Sequence, residues 1–166
     1  MFIKTNVLLP CLFRFAILFA AICPITAQPI GETLPKVMLI GENEAAFEQM
    51  QMEYQQTLLD ACHNNFDSAY TAWVDALGSM ERYSEQIGYD LKGVKLWLYI
   101  FFDKDGSIKH IAYYLRPNSR NVNTAELTAF FSSYMNRYRI GVDNDKKFSH
   151  YGTVSFPMLP QQLSDK

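Results

Sequence analysis

The sequence predicts an α+β fold in which an N-terminal antiparallel helical pair packs with a small antiparallel sheet in β-β-α-β order. Three observations carry this. Apolar residues recur three or four positions apart through residues 47–62 and again through 66–80, the spacing of a helix face. Residues 95–102, Lys-Leu-Trp-Leu-Tyr-Ile-Phe-Phe, form a nearly continuous apolar and aromatic run of strand length. Between residues 148 and 156 the period falls to two, with Phe148, His150, Gly152, Val154 and Phe156 alternating with Ser149, Tyr151, Thr153 and Ser155.

The elements follow in chain order. Lys4 and Arg14 are the only charged residues before Glu32, and the apolar stretch 15–22 is short for a membrane span. Pro24 and Ile25-Thr26-Ala27 then complete the pattern of a secretory signal, residues 1–27, cut after Ala27. Residues 28–43, with Pro29, Gly31, Pro35 and Gly41, read as a linker holding one short strand at 37–40. Phe47, Met50, Tyr54, Leu58 and Cys62 mark a helix from residue 44 to about 63, which Asn64-Asn65 ends. Phe66, Tyr70, Trp73, Leu77 and Met80 mark a second helix that stops before Gly88, so residues 44–90 form a helical hairpin.

After the strand 95–102, Asp103-Lys104-Asp105-Gly106 makes a tight turn, with glycine supplying the left-handed conformation, and residues 108–115 return as a second strand. Asn123 with Glu126 resembles a capping box, and Leu127, Phe130, Phe131, Tyr134 and Tyr138 line the face of the helix it opens. The last strand, 148–156, ends at Pro157. Residues 94–160 are the β-β-α-β unit, and 44–160 are expected to form one compact domain.

Composition narrows the function. The chain holds 15 Lys and Arg against 17 Asp and Glu; without Lys4 and Arg14 the mature protein has 13 against 17, a formal charge of −4. That balance argues against nucleic acid as partner. Cys11 and Cys23 leave with the signal, so Cys62 has no intramolecular disulfide partner and reads as a core residue. An exported protein without a membrane anchor after cleavage is expected, resident in the periplasm or cell envelope.

Residues 95–157 resemble the TonB C-terminal domain and its relatives, through the apolar strand leading to Asp105-Gly106, the helix opening Asn123-Thr124-Ala125-Glu126-Leu127 and the closing Val154-Ser155-Phe156. The resemblance implies a helix packed on a small antiparallel sheet whose last strand pairs with an extended peptide, such as one from an outer-membrane component. By strand addition, the unpaired N–H and C=O groups of an edge complete their ladder with an incoming segment. An energy transducer of that family needs a membrane anchor and a long proline-rich spacer, whereas this chain shows a cleavable signal and a helical pair. The resemblance therefore implies an exported bacterial relative put to another use.

Catalytic parts are missing from the sequence. Asp103-Lys104-Asp105-Gly106 echoes the opening of a calcium loop but lacks the later ligands, and a plain turn is the better reading. His63, His110 and His150 belong to three separate elements without paired metal-ligand spacing. Adjacent Cys62 and His63 diverge by about 100 degrees on a helix and cannot share a reacting atom. No G-x-S-x-G elbow or glycine-rich phosphate loop occurs. No enzyme, cofactor or metal is therefore expected.

The expected function is a protein interaction module that binds a partner peptide at Phe148, His150, Gly152, Val154 and Phe156. Arg116 and Arg120, before the last helix, are candidates for contacting an anion or carboxylate. Two alternatives stand beside this: a small-ligand carrier or minor hydrolase using a cleft near Arg116, Arg120 and His110, and a structural envelope subunit that forms a homo-oligomer.

Overall fold

The computed structural model describes residues 33–158, so residues 1–27, expected to be a signal, and residues 28–32 lie outside the described residues. Its elements are β1 (Val37–Leu39), α1 (Glu44–Glu53), β2 (Gln56–Thr57), α2 (Leu58–Ala61), α3 (Phe66–Gln86), β3 (Lys95–Phe102), β4 (Ile108–Leu115), α4 (Thr124–Tyr134) and β5 (Phe148–Ser155). The protein is thus mixed α+β, with four helices and one five-stranded sheet among the described residues.

The apolar run of β3 takes the centre of the sheet because both its faces find cover. Strand order is β1-β4-β3-β5-β2. β3 runs antiparallel to β4 and β5, and the short edge strands β1 and β2 run parallel to β4 and β5. The sheet is therefore mixed, where a wholly antiparallel one was expected. Two short segments of the N-terminal half, 37–39 and 56–57, join it at opposite edges, each reaching its parallel neighbour through a long crossover.

Leu96, Leu98, Ile100 and Phe102 point to one face of β3, into a core with Trp73, Leu77 and Met80 of α3 and Leu127, Phe130, Phe131 and Tyr134 of α4. Tyr99 and Phe101 point to the other, where Phe47, Met50 and Tyr54 of α1 and its C-terminal boundary meet them; the rings of Tyr54 and Phe101 lie 5.2 Å apart, edge to face. Helices on both faces explain a strand that is apolar at nearly every position.

The expected helical pair does not form, because the first helix breaks. α1 ends at Glu53, Gln56 and Thr57 enter the sheet, and Thr57 begins a new helix. A capping box stops and restarts the chain there: the Thr57 hydroxyl accepts from the Asp60 N–H at 3.1 Å, and the Thr57 N–H donates to the Asp60 carboxylate at 2.9 Å. The stripe Phe47, Met50, Tyr54, Leu58, Cys62 keeps helical spacing through the break. It nevertheless serves two cores, with Met50 and Tyr54 on the α1 face and Leu58 and Cys62 on the α3 face.

α3 is also turned relative to its expected stripe. Ala69, Trp73, Ala76, Leu77, Met80 and Tyr83 are buried, whereas Phe66 and Tyr70 are exposed. Small residues decide the rotation. Ala69 and Ala76 let the helix backbone approach its neighbours, and the Tyr134 hydroxyl of α4 donates to the Ala76 carbonyl at 2.9 Å. Asn123 caps α4 as expected, accepting from the Ala125 and Glu126 amides at 2.9 and 3.4 Å. Among the described residues no helix is long and apolar enough to cross a membrane.

Candidate functional site

β5 has a strand partner along its whole length on one side only. β3 pairs with all eight of its residues, whereas β2 covers only Phe148 and Ser149. The hydrogen-bond parity follows from the strand's end, where Phe156 N–H donates to the Val94 carbonyl at 3.0 Å and its carbonyl accepts from Gly93 N–H at 2.9 Å. The β3–β5 register is unbroken, so the even residues His150, Gly152 and Val154 turn their backbone groups toward β3. The odd residues Tyr151, Thr153 and Ser155 turn theirs outward. Among the described residues no strand pairs with them.

Beside this edge runs one flank of α3. The Trp73 indole lies over Gly152, where a Cβ would stand 3.6 Å from the ring, and stacks edge to face on His150 with centroids 4.5 Å apart. Burial pushes the His150 pKa down and favours the neutral imidazole. Leu59, Phe66, Ala69, Tyr70, Trp73 and His150 enclose an apolar cavity of about 310 Å³ where β2 stops. Phe66 and Tyr70 stack at 6.3 Å, and they are 70% and 61% exposed, unusual for adjacent aromatics in a helix that buries its other large side chains. A second, more polar hollow of about 560 Å³ lies on the other side of Tyr70, lined by Val74, Asp75, Glu81, Arg82 and Met158 among others.

The residues expected from sequence divide clearly. Phe148, Val154 and Phe156 bury their side chains in the core, and His150 and Gly152 lie under Trp73. What β5 offers outward is backbone of the intervening residues, together with an apolar wall from α2 and α3. Arg120 is held by Asp90, donating to its carboxylate at 2.7 Å and to its backbone carbonyl, and its stem covers Gly93. Arg116 and His110 share a face of the sheet but stand at opposite ends of β4, and the His110 Nδ1 lies 2.8 Å from the Pro35 carbonyl. The structure does not bring Arg116, Arg120 and His110 to one cleft.

Elsewhere, the acids of the β3–β4 turn already have protein partners. The turn carboxylates face cations, Asp103 with Lys109 at 3.2 Å and Asp105 with Arg139. Hydrogen bonds from Ser107, with Arg139, hold the Asp105 carboxyl well below the usual range. A cleft of about 680 Å³ between the start of α3 and the segment after α4 is lined by Cys62, His63, Asp75, Tyr138 and Asp143. Burial raises the pKa of both the Cys62 thiol and the Tyr138 hydroxyl, the reverse of nucleophile activation.

Sequence reasoning missed Leu59, Phe66 and Tyr70 as exposed apolar residues because two of them sit on a helix stripe that reads as core. A signal was present for Tyr70, which lies across the helix face from Ala69 and Ala76, whereas Phe66 lies within about 20 degrees of Trp73 around the helix and is exposed as the first residue of α3. Comparison with known proteins finds no family model, curated protein or solved structure that matches this chain.

Proposed function

We propose that this protein is a non-enzymatic binding module that takes an extended segment of a partner protein as an added strand on β5. The observation that carries the reading is the open edge Tyr151–Thr153–Ser155, which begins at the apolar groove of Phe66, Tyr70, Trp73 and His150. Main-chain hydrogen bonds to the edge supply affinity that is indifferent to sequence, and alternate side chains of the incoming segment drop into the groove and supply specificity. An occupied groove covers Phe66 and Tyr70, the kind of aromatic anchors that dominate interfaces. The same reading includes an exported, periplasmic or envelope location and kinship with TonB C-terminal domains. It is supported by the strand, strand, helix, strand order over residues 95–155 and by the last strand leaving Tyr151, Thr153 and Ser155 without an outward strand partner among the described residues.

The parity of β5 provides the test. Thr153→Pro removes an outward N–H and leaves the β3 ladder intact, which an edge tolerates; Val154→Pro removes an inward one and breaks the fold. Peptides selected from a short random library on the wild-type protein are expected to bind folded Thr153→Pro about tenfold more weakly, the worth of roughly one hydrogen bond. Thr153→Ala is expected to bind them normally. A library without binders, or binders indifferent to Thr153→Pro, contradicts the reading.

A further inference from the structure

The opposite face of the sheet is half covered. Strand pairing arranges its side chains in rows: Arg116, Lys95 and Ser155; then Tyr114, Trp97 and Thr153; then Ala112, Tyr99 and Tyr151. α1 covers the far end of this face, over Phe101 and Ala112, and leaves the first two rows and Tyr151 uncovered among the described residues. Trp97 is 49% exposed, Tyr114 47% and Tyr151 59%. Lys95 and Arg116 are direct neighbours across the strands, the Arg116 N–H donating to the Lys95 carbonyl at 3.0 Å, and neither meets a carboxylate among the described residues. Like charges placed opposite one another repel, and an anionic counterpart relieves the repulsion.

We infer that this shelf is a dimer interface, filled by α1 of a second copy of the chain. The shelf is recessed by the thickness of one helix, roughly 10 Å, because α1 stands beside it on the same face. A planar membrane meets α1 before it reaches Trp97, whereas a helix laid alongside α1 completes the layer. The chain supplies such a helix. α1 carries Glu44, Glu48 and Glu53 and no base, and its outer side exposes Ala45, Glu48 and Met52 at helical spacing. Glu53 pairs with Lys147, but Glu44 and Glu48 meet no cation among the described residues. A two-fold axis uses both complementary parts twice: each α1 enters the other's shelf, its acids toward Lys95 and Arg116 and its apolar side on Trp97 and Tyr151. This interface uses side chains of the sheet face, whereas a strand added to β5 uses its outward backbone groups.

Sedimentation of the purified protein over a range of micromolar concentrations tests the inference. The wild type is expected to be a dimer. Lys95→Glu with Arg116→Glu is expected to weaken association at least about tenfold, as is Trp97→Ala, in proteins whose thermal unfolding remains cooperative. Adding Glu44→Lys and Glu48→Lys to the first pair is expected to restore the dimer, and Phe66→Ala, on the other face of the sheet, is expected to leave it intact. A protein monomeric throughout overturns the inference, as does a dimer that survives Lys95→Glu with Arg116→Glu or one that the compensating pair does not restore.

Discussion

Trp73→Ala is expected to destabilise the protein by about 3–5 kcal/mol, the usual cost of emptying a buried aromatic site. The indole bridges the two parts of the account. It belongs to the core between α3 and the sheet, with Leu77 and Met80, and it is also the floor of the groove, lying on Gly152 and against His150. Its removal opens a void into the existing cavity of about 310 Å³. The strand backbone at Gly152 carries no side chain that can move in to fill it. Urea unfolding followed by far-UV circular dichroism measures the loss. A fall in the denaturation midpoint with an unchanged slope identifies a change in stability rather than in compactness.

Gly106→Ala is expected to cost roughly 2–5 kcal/mol for two additive reasons. Gly106 has φ +75, a left-handed conformation in which a side chain costs about 1–2 kcal/mol. A Cβ there also runs into the backbone carbonyl of Ile140, and such overpacking costs about 1–3 kcal/mol. The contact is part of the fold's closure: Ile140 N–H donates to the Gly106 carbonyl at 3.0 Å, tying the hairpin turn to the segment between α4 and β5. Gly141→Ala serves as the control, because a Cβ at that position meets nothing within 4 Å, and its unfolding midpoint is expected to stay within a few tenths of a kcal/mol of wild type.

The turn at Gly106 illustrates what local sequence conveys. The need for a left-handed residue was legible in Asp103-Lys104-Asp105-Gly106, because turn chemistry resides in four consecutive residues. Contact with Ile140, a long-range event, was not. The same division runs through the fold. β3, β4, α4 and β5 were readable because their apolar periods are long and bounded by glycine, proline or a capping asparagine. The break between α1 and α2 was hidden because the residues on either side keep one helical period while packing on opposite faces of the sheet. Thr57 and Asp60 carried the only local sign of it. At the candidate site, the strand was legible and its outward-facing backbone was not, since alternation gives side-chain faces but leaves open which neighbour each N–H meets. Phe66 reads as core although it opens α3, where periodicity does not show what covers it, and Tyr70 because periodicity alone does not fix the rotation of a helix. Ala69 and Ala76 fix it through packing.

Amide hydrogen exchange along β5 tests the central claim most directly, because it reads each backbone group separately and needs no identified partner. The account predicts alternation: slow exchange at His150, Gly152 and Val154, whose N–H groups bond to β3, and fast exchange at Tyr151, Thr153 and Ser155, with protection appearing at those three when a selected peptide is added. Uniformly slow exchange from residue 150 to 155 in the protein alone would contradict it, because the edge proposed to receive a partner strand would already be paired.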